Sequence, residues 1–171
     1  GFTITSTSAQ SITSPTWPAR DVGGSTNGDG VLLGLEISSA TGSGTPTVTI
    51  SYTNQSGTSG RSATNTDATA ASSTAGSFFR IGLQAGDTGV RSVQSRTLSA
   101  TWTSGTMNLV AYRPIATVSP PNSTTSNAAD GVDALTSGFP RLYNDTVPFL
   151  LYLAVASSSG ILNGCYGVTQ G

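Results

Sequence analysis

The stretch Thr47–Thr64, TVTISYTNQSGTSGRSAT, alternates apolar and hydroxyl side chains and then breaks into glycine, amide and serine residues. Val48, Ile50 and Tyr52 fall on one face, and Thr47, Thr49, Ser51 and Thr53 on the other. That is the period of a half-buried β-strand built from good β-formers. The NQSGTSGR run that follows, Asn54–Arg61, holds two glycines among small polar residues, the composition of a hairpin tip or a longer loop. Two roles compete for the stretch. One is a strand and its solvent-facing turn; the other is a loop that presents Arg61 to an acidic partner or a neighbouring subunit.

Runs of the same kind recur on both sides. They are Val31–Ile37 (VLLGLEI), Phe78–Leu83 (FFRIGL), Val90–Thr103 (VRSVQSRTLSATWT), Met107–Arg113 (MNLVAYR), Phe149–Val155 (FLLYLAV) and Cys165–Thr169 (CYGVT). Turn chemistry separates them, most clearly at Ser25–Gly30 (STNGDG), Ala85–Gly89 (AGDTG) and Ser104-Gly105. No window of a dozen residues keeps a helical apolar period without Gly, Pro or a Ser/Thr cluster interrupting it. The expected fold is all-β, an antiparallel β-sandwich of jelly-roll type with little or no helix.

At 171 residues the chain suits one domain. Residues 1–15 lack a strand pattern and are expected to be a flexible N-terminal arm; residues 16–171 are expected to form the domain. Within it, Thr117–Gly138, with paired prolines and almost no large apolar side chain, reads as a long connection. An internal echo flanks that connection. Trp17-Pro18-Ala19-Arg20-Asp21 precedes VLLGLEI, and Phe139-Pro140-Arg141-Leu142-Tyr143 precedes VPFLLYLAV. Each is an aromatic-Pro element with an arginine and a nearby acid, followed by a buried strand, and such a pseudo-duplicated strand pair suits a two-sheet sandwich. Trp17, Arg20 and Arg141 join Arg61 as candidate partner-contacting residues.

Charged residues make up only 9% of the chain, against roughly 25% in an average soluble domain. All seven cations are arginine, and the eight acids leave a formal charge of -1. A basic face for nucleic acid is therefore not expected, since phosphate affinity needs clustered positive charge. The longest apolar run, Val147–Ala156, falls short of the ~20 residues that span a bilayer as a helix, and no membrane partner is expected. The chain opens on Gly1 without an initiator Met, the mark of processing or of a fragment.

With no histidine in the chain, Ser-His-Asp, Cys-His and His-containing zinc chemistry are closed. A carboxylate pair for glycoside hydrolysis stays conceivable among Asp21, Asp29, Glu36, Asp67, Asp87, Asp130, Asp133 and Asp145. Most of these sit in Gly-, Asn- or Thr-flanked turns, where Asx side chains bond their own backbone. Catalytic residues, cofactors and metals are thus expected to be none; Asp21–Gly30 and Asp130–Asp133 offer hard oxygen ligands for calcium but match no ligand spacing of a known loop. Cys165, the lone cysteine, has no basic neighbour to activate it and reads as a buried, inert thiol. The sequons at Asn54, Asn122 and Asn144 are ordinary in so Ser/Thr-rich a chain. The aromatics Trp17, Tyr52, Trp102, Tyr112, Tyr143 and Tyr152 could stack on sugars, although most lie in expected strands and suit a core better.

The phrases WPARDVGGSTNGDGVLLGLEI, SYTNQSGTSGRSAT, LQAGDTGVRSVQS and GFPRLYNDTVPFLLYLAV resemble segments of structural proteins of tailed bacteriophages, in particular small β-rich virion components of the head-decoration type. The resemblance covers most of the chain from Trp17 onward and carries no catalytic motif. It implies a non-enzymatic capsid accessory on the outer surface of the virion, partnered by the major capsid protein or other virion subunits. A homo-oligomer is implied too, with a trimer suited to a threefold position. The alternative from another class is a glycan-binding module of a tail fibre or cell surface. Low charge suggests attachment through apolar and backbone contacts by residues 1–15 and 117–138, with little response to salt.

Overall fold

A computed structural model describes residues 1–117 and 140–152. Eight strands make up the described part: β1 (Phe2–Thr3), β2 (Gln10–Ser11), β3 (Leu32–Ser39), β4 (Val48–Asn54), β5 (Arg61–Asn65), β6 (Phe78–Gly82), β7 (Val90–Leu98) and β8 (Thr106–Tyr112). They join in one antiparallel sheet of order β1-β8-β3-β6-β5-β4-β7-β2. There is no helix among the described residues, and so none that is long and apolar enough to cross a membrane. The all-β antiparallel class expected from the sequence is the one observed, and the sheet takes the form of a curled half-barrel.

The opening stretch folds as its alternation dictates. Val48, Ile50, Tyr52 and Asn54 point inward and the hydroxyl residues between them are half-exposed. Arg61 pairs directly with Tyr52 at the start of β5, so Gln55–Gly60 forms the hairpin loop and Arg61 lies in the ladder below it. On the far side of the core, Leu33, Leu35 and Ile37 of β3 are fully buried. Between Leu33 and Leu35, Gly34 faces outward: a Cβ there would lie 2.0 Å from Phe78 Cζ, so only glycine leaves room for the tip of that ring against the strand.

Strand β7 departs from simple alternation. Its buried residues are Val90, Val93, Arg96 and Leu98, because its register against β4 slips between Ser51 and Tyr52 and again between Thr53 and Asn54. Gln94 and Arg91 are the extra residues, and each bulge turns the following side chains to the other face. The strand expected to run to Thr103 stops at Leu98. The chain then turns, and Trp102 drops into the core with none of its surface exposed.

The start of the chain is not the arm that its composition suggested. β1 pairs with β8 and β2 with β7, the two strands at opposite ends of the sheet. Only Ile4–Ala9 separates β1 from β2, so the curl must bring both sheet edges within the reach of one short segment. Ile4 is fully buried, and its carbonyl accepts the Trp102 N–H. Gln10 Nε2 and Arg96 Nη2 both donate to Thr3 O. This strap was illegible because two-residue strands show no period.

The buried strand expected over Phe149–Val155 is absent from its described part. Phe149–Tyr152 pairs with no strand among the described residues, and Phe149, Leu150 and Tyr152 are 58%, 75% and 59% exposed. The sheet's outer surface there is already covered by Phe78 stacked edge-on against Tyr112, and Phe149 adds only one further edge contact to Tyr112 at 6.3 Å. The connection expected over Thr117–Gly138, the strand expected over Cys165–Thr169, the thiol of Cys165, the acids Asp130 and Asp133 and the sequon at Asn122 lie outside the described residues, Thr117 excepted.

Candidate functional site

The two echoed elements meet. Pro18, Ala19 and Arg20 form one wall, and Arg141–Asp145 the other, of an open cleft of about 350 Å³. Local chemistry shapes both walls. The N–H of Arg20 bonds Pro18 O at 2.7 Å in a tight three-residue turn. On the other wall, Thr146 N–H bonds Tyr143 O at 3.2 Å, closing a four-residue turn whose third residue, Asp145, has φ 59°. Asx residues tolerate that left-handed conformation better than most.

A carboxylate fixes the loop behind the first wall. Asp21 is 2% exposed, and it accepts the Ser25 N–H and hydroxyl, both at 2.6 Å, and the N–H groups of Gly28 and Asp29. Burial pushes its carboxyl up, but those four donors together hold it below the ordinary range. Gly24 in this loop has φ 75°, and a Cβ there would come within 2.9 Å of Tyr143 Oη, so glycine makes room for the tyrosine of the opposite element.

Two of the seven arginines, Arg20 and Arg141, line the cleft, and a third, Arg113, packs against its tyrosine. The Arg113 guanidinium, just past β8, lies 5.8 Å from the centre of the Tyr143 ring, and that of Arg141 lies 5.2 Å from it. Arg113 Nη2 also donates to Arg141 O at 2.7 Å. Arg20 Nη1 donates to Asp145 O at 2.8 Å, while its Nη2 stands 3.6 Å from the Asp145 carboxylate, a side chain that is 89% exposed. Two cations and one solvated acid thus line the cleft, with a third cation held against its tyrosine.

The other sequence candidates lie elsewhere. Arg61 pairs with Asp87, Nε to Oδ2 at 2.8 Å and Nη2 to Oδ1 at 3.1 Å, and Tyr52 and Asn54 bond the same carboxylate. It ties the β4–β5 hairpin to the loop before β7 and offers little to a partner. Trp17 is half-buried with its Nε1 bonded to Val90 O at 2.7 Å, so it supports the cleft's first wall from beneath. Trp102 and Tyr52 are in the core and Trp17 packs against it, so core packing takes half of the six aromatics that a sugar platform would draw on. A second open cleft, also about 350 Å³, is lined by hydroxyl residues including Thr53 and Ser92, together with Gly57 and Arg91. The arginine beside the hydroxyls of the opening stretch is therefore Arg91.

Every described acid has a partner within the fold. Beyond Asp21, Asp87 and Asp145, Asp67 pairs with Arg80 at 2.7 Å, Asp29 accepts the Thr88 hydroxyl and Glu36 the Asn108 amide. No group of three or more acids or thiols that could hold a metal ion occurs among the described residues. The sequence offered Arg20 and Arg141 as candidates without bringing them to one cleft, and the echo that contains them was a visible signal for it; Arg113 and the exposed apolar residues beyond Asp145 were missed, the latter because an apolar run reads as buried. No protein-family model, curated protein or solved structure matches the chain.

Proposed function

We propose that the chain is a non-enzymatic structural subunit of a bacteriophage virion, a decoration protein bound to the outside of the capsid shell through the major capsid protein. The phrase-level resemblance gives the class. The observation that carries the reading is a surface: next to the arginine-tyrosine cleft, Val147, Phe149, Leu150 and Tyr152 stand 84%, 58%, 75% and 59% exposed along one stretch of chain. So many large apolar side chains together on an otherwise polar domain are the mark of a contact face. The partners of the described acids favour a scaffold over a catalyst, since each is engaged in holding a turn or a strand pair. A homo-oligomer, with a trimer at a threefold position, suits the role.

The test is to mix the purified protein with naked capsid shells, measure co-sedimentation and image the particles by electron microscopy. Saturable binding and density on the outer shell are expected, and the Phe149→Ser/Leu150→Ser double variant should lose at least about tenfold in affinity, the scale of two apolar anchors at an interface. Absence from shells, or location at the tail alone, overturns the proposal.

A further inference from the structure

The cleft between residues 18–20 and 141–145 has a chemistry of its own. Arg113 and Arg141 approach one ring, and neither has a carboxylate partner among the described residues. A guanidinium held against a ring by cation–π attraction keeps its N–H edge directed away from the ring, and that edge matches a carboxylate in two parallel bonds. Arg20 is paired only with the solvated Asp145, in an exposed contact that contributes little. An incoming carboxylate could replace that contact at small cost. Elsewhere in the fold the arginines beside acids are closed pairs, Arg61 with Asp87 and Arg80 with Asp67.

We infer that this cleft receives an acidic extended segment of a protein partner, with carboxylates seated between Arg20 and Arg141 and Tyr143 as the positioning residue. The inference rests on the docking role for the identity of the partner, but the cleft's preference for carboxylates is testable without shells. Charge complementarity commits it to an acidic peptide: two cations, Arg20 and Arg141, and one acid line the site, and a third cation, Arg113, stands against its tyrosine, in a chain whose formal charge is -1. The expectation of a salt-indifferent attachment is modified accordingly, because ion pairs at a half-open cleft weaken as salt screens them.

The experiment titrates the full chain with short poly-L-glutamate and follows the arginine Nε–Hε and Tyr143 ring resonances by NMR. Signals of Arg20, Arg113, Arg141 and Tyr143 should shift saturably while those of Arg61 and Arg80 stay in place. Arg141→Gln should weaken poly-glutamate binding about tenfold, the effect of losing one well-placed charge partner. Arg91→Gln, which removes an equal charge outside the cleft, should leave it unchanged. Tyr143→Phe should retain binding and Tyr143→Leu lose it, since the ring is what holds the guanidiniums. On shells, Arg141→Gln should lower affinity and reduce its dependence on salt. Equal losses from Arg91→Gln and Arg141→Gln, unmoved cleft resonances, or tighter binding of a DNA oligonucleotide or dextran sulfate than of poly-glutamate would each overturn the inference. Poly-glutamate binding without shell binding would instead overturn the docking role and leave the cleft's preference standing.

Discussion

Arg96 sits where a core residue belongs. It lies on the inward face of β7, 1% exposed, directly opposite Ile50 across the ladder. Among the described residues no acid faces it; Nη2 donates to Thr3 O, the guanidinium lies 5.3 Å from the centre of the Phe2 ring, and Nε and Nη1 find no hydrogen-bond partner there. Burial disfavours its charged form and lowers its pKa. A charge so placed is costly because a ring and one carbonyl replace little of its hydration. Arg96→Met, which keeps the length and the apolar stem, should therefore stabilise the fold by about 1–3 kcal/mol, read as a higher urea midpoint with an unchanged m-value. A lower midpoint would mean that the contacts to Phe2 and Thr3 outweigh the desolvation of the charge.

Both contacts of Arg96 come from the strap, and the strap is the element whose importance the composition hid. Ile4 is fully buried beneath it. Ile4→Ala should cost about 2–4 kcal/mol, as for other buried aliphatic truncations, whereas Thr7→Ala on its exposed turn should change stability by less than about 0.5 kcal/mol. Urea unfolding decides, and equal, negligible effects would restore the flexible arm. Residues 1–15 cannot then be removed as a docking arm without exposing the edges of β7 and β8. Why some elements were legible and this one was not has a physical basis. β3 and β4 obey period two because each faces the core on one side along its whole length. In β7 the alternation is reset twice by bulges, which arise from pairing with β4 and leave no mark in composition. The strap is held by Ile4 and by backbone bonds to distant residues, so nothing local announces it. At the cleft, the paired aromatic-Pro-Arg elements were visible as an echo; that they would face each other, with Arg113 arriving from β8, is a product of the sheet order.

At the scale of the molecule, a domain with so few charges concentrates its pH response in a handful of carboxylates. Asp87 is the junction of three elements, since it accepts from Tyr52 and Asn54 at the end of β4 and from Arg61 at the start of β5, while its own loop leads into β7. The bonds from Arg61 act most strongly on it; with those from Tyr52 and Asn54 they outweigh burial and hold its carboxyl down to about 2, from an ordinary value of 3.8. Asp67 is lowered by Arg80, and Asp21 by its loop donors against the effect of burial. A carboxyl depressed by folding binds its proton more readily in the unfolded chain. Its stabilisation is complete above the unfolded value and is lost as pH falls through the folded one. The urea midpoint should accordingly be level above about pH 5 and decline between about pH 4 and pH 2. Asp87→Asn should lower the midpoint at neutral pH by breaking the Arg61 pair, and should flatten the decline below pH 4 because its largest contributor is gone. Parallel curves for wild type and Asp87→Asn would show that the junction does not govern acid stability. A midpoint that rises toward pH 2 would mean that these carboxylates are better stabilised in the unfolded chain, against the geometry of all three.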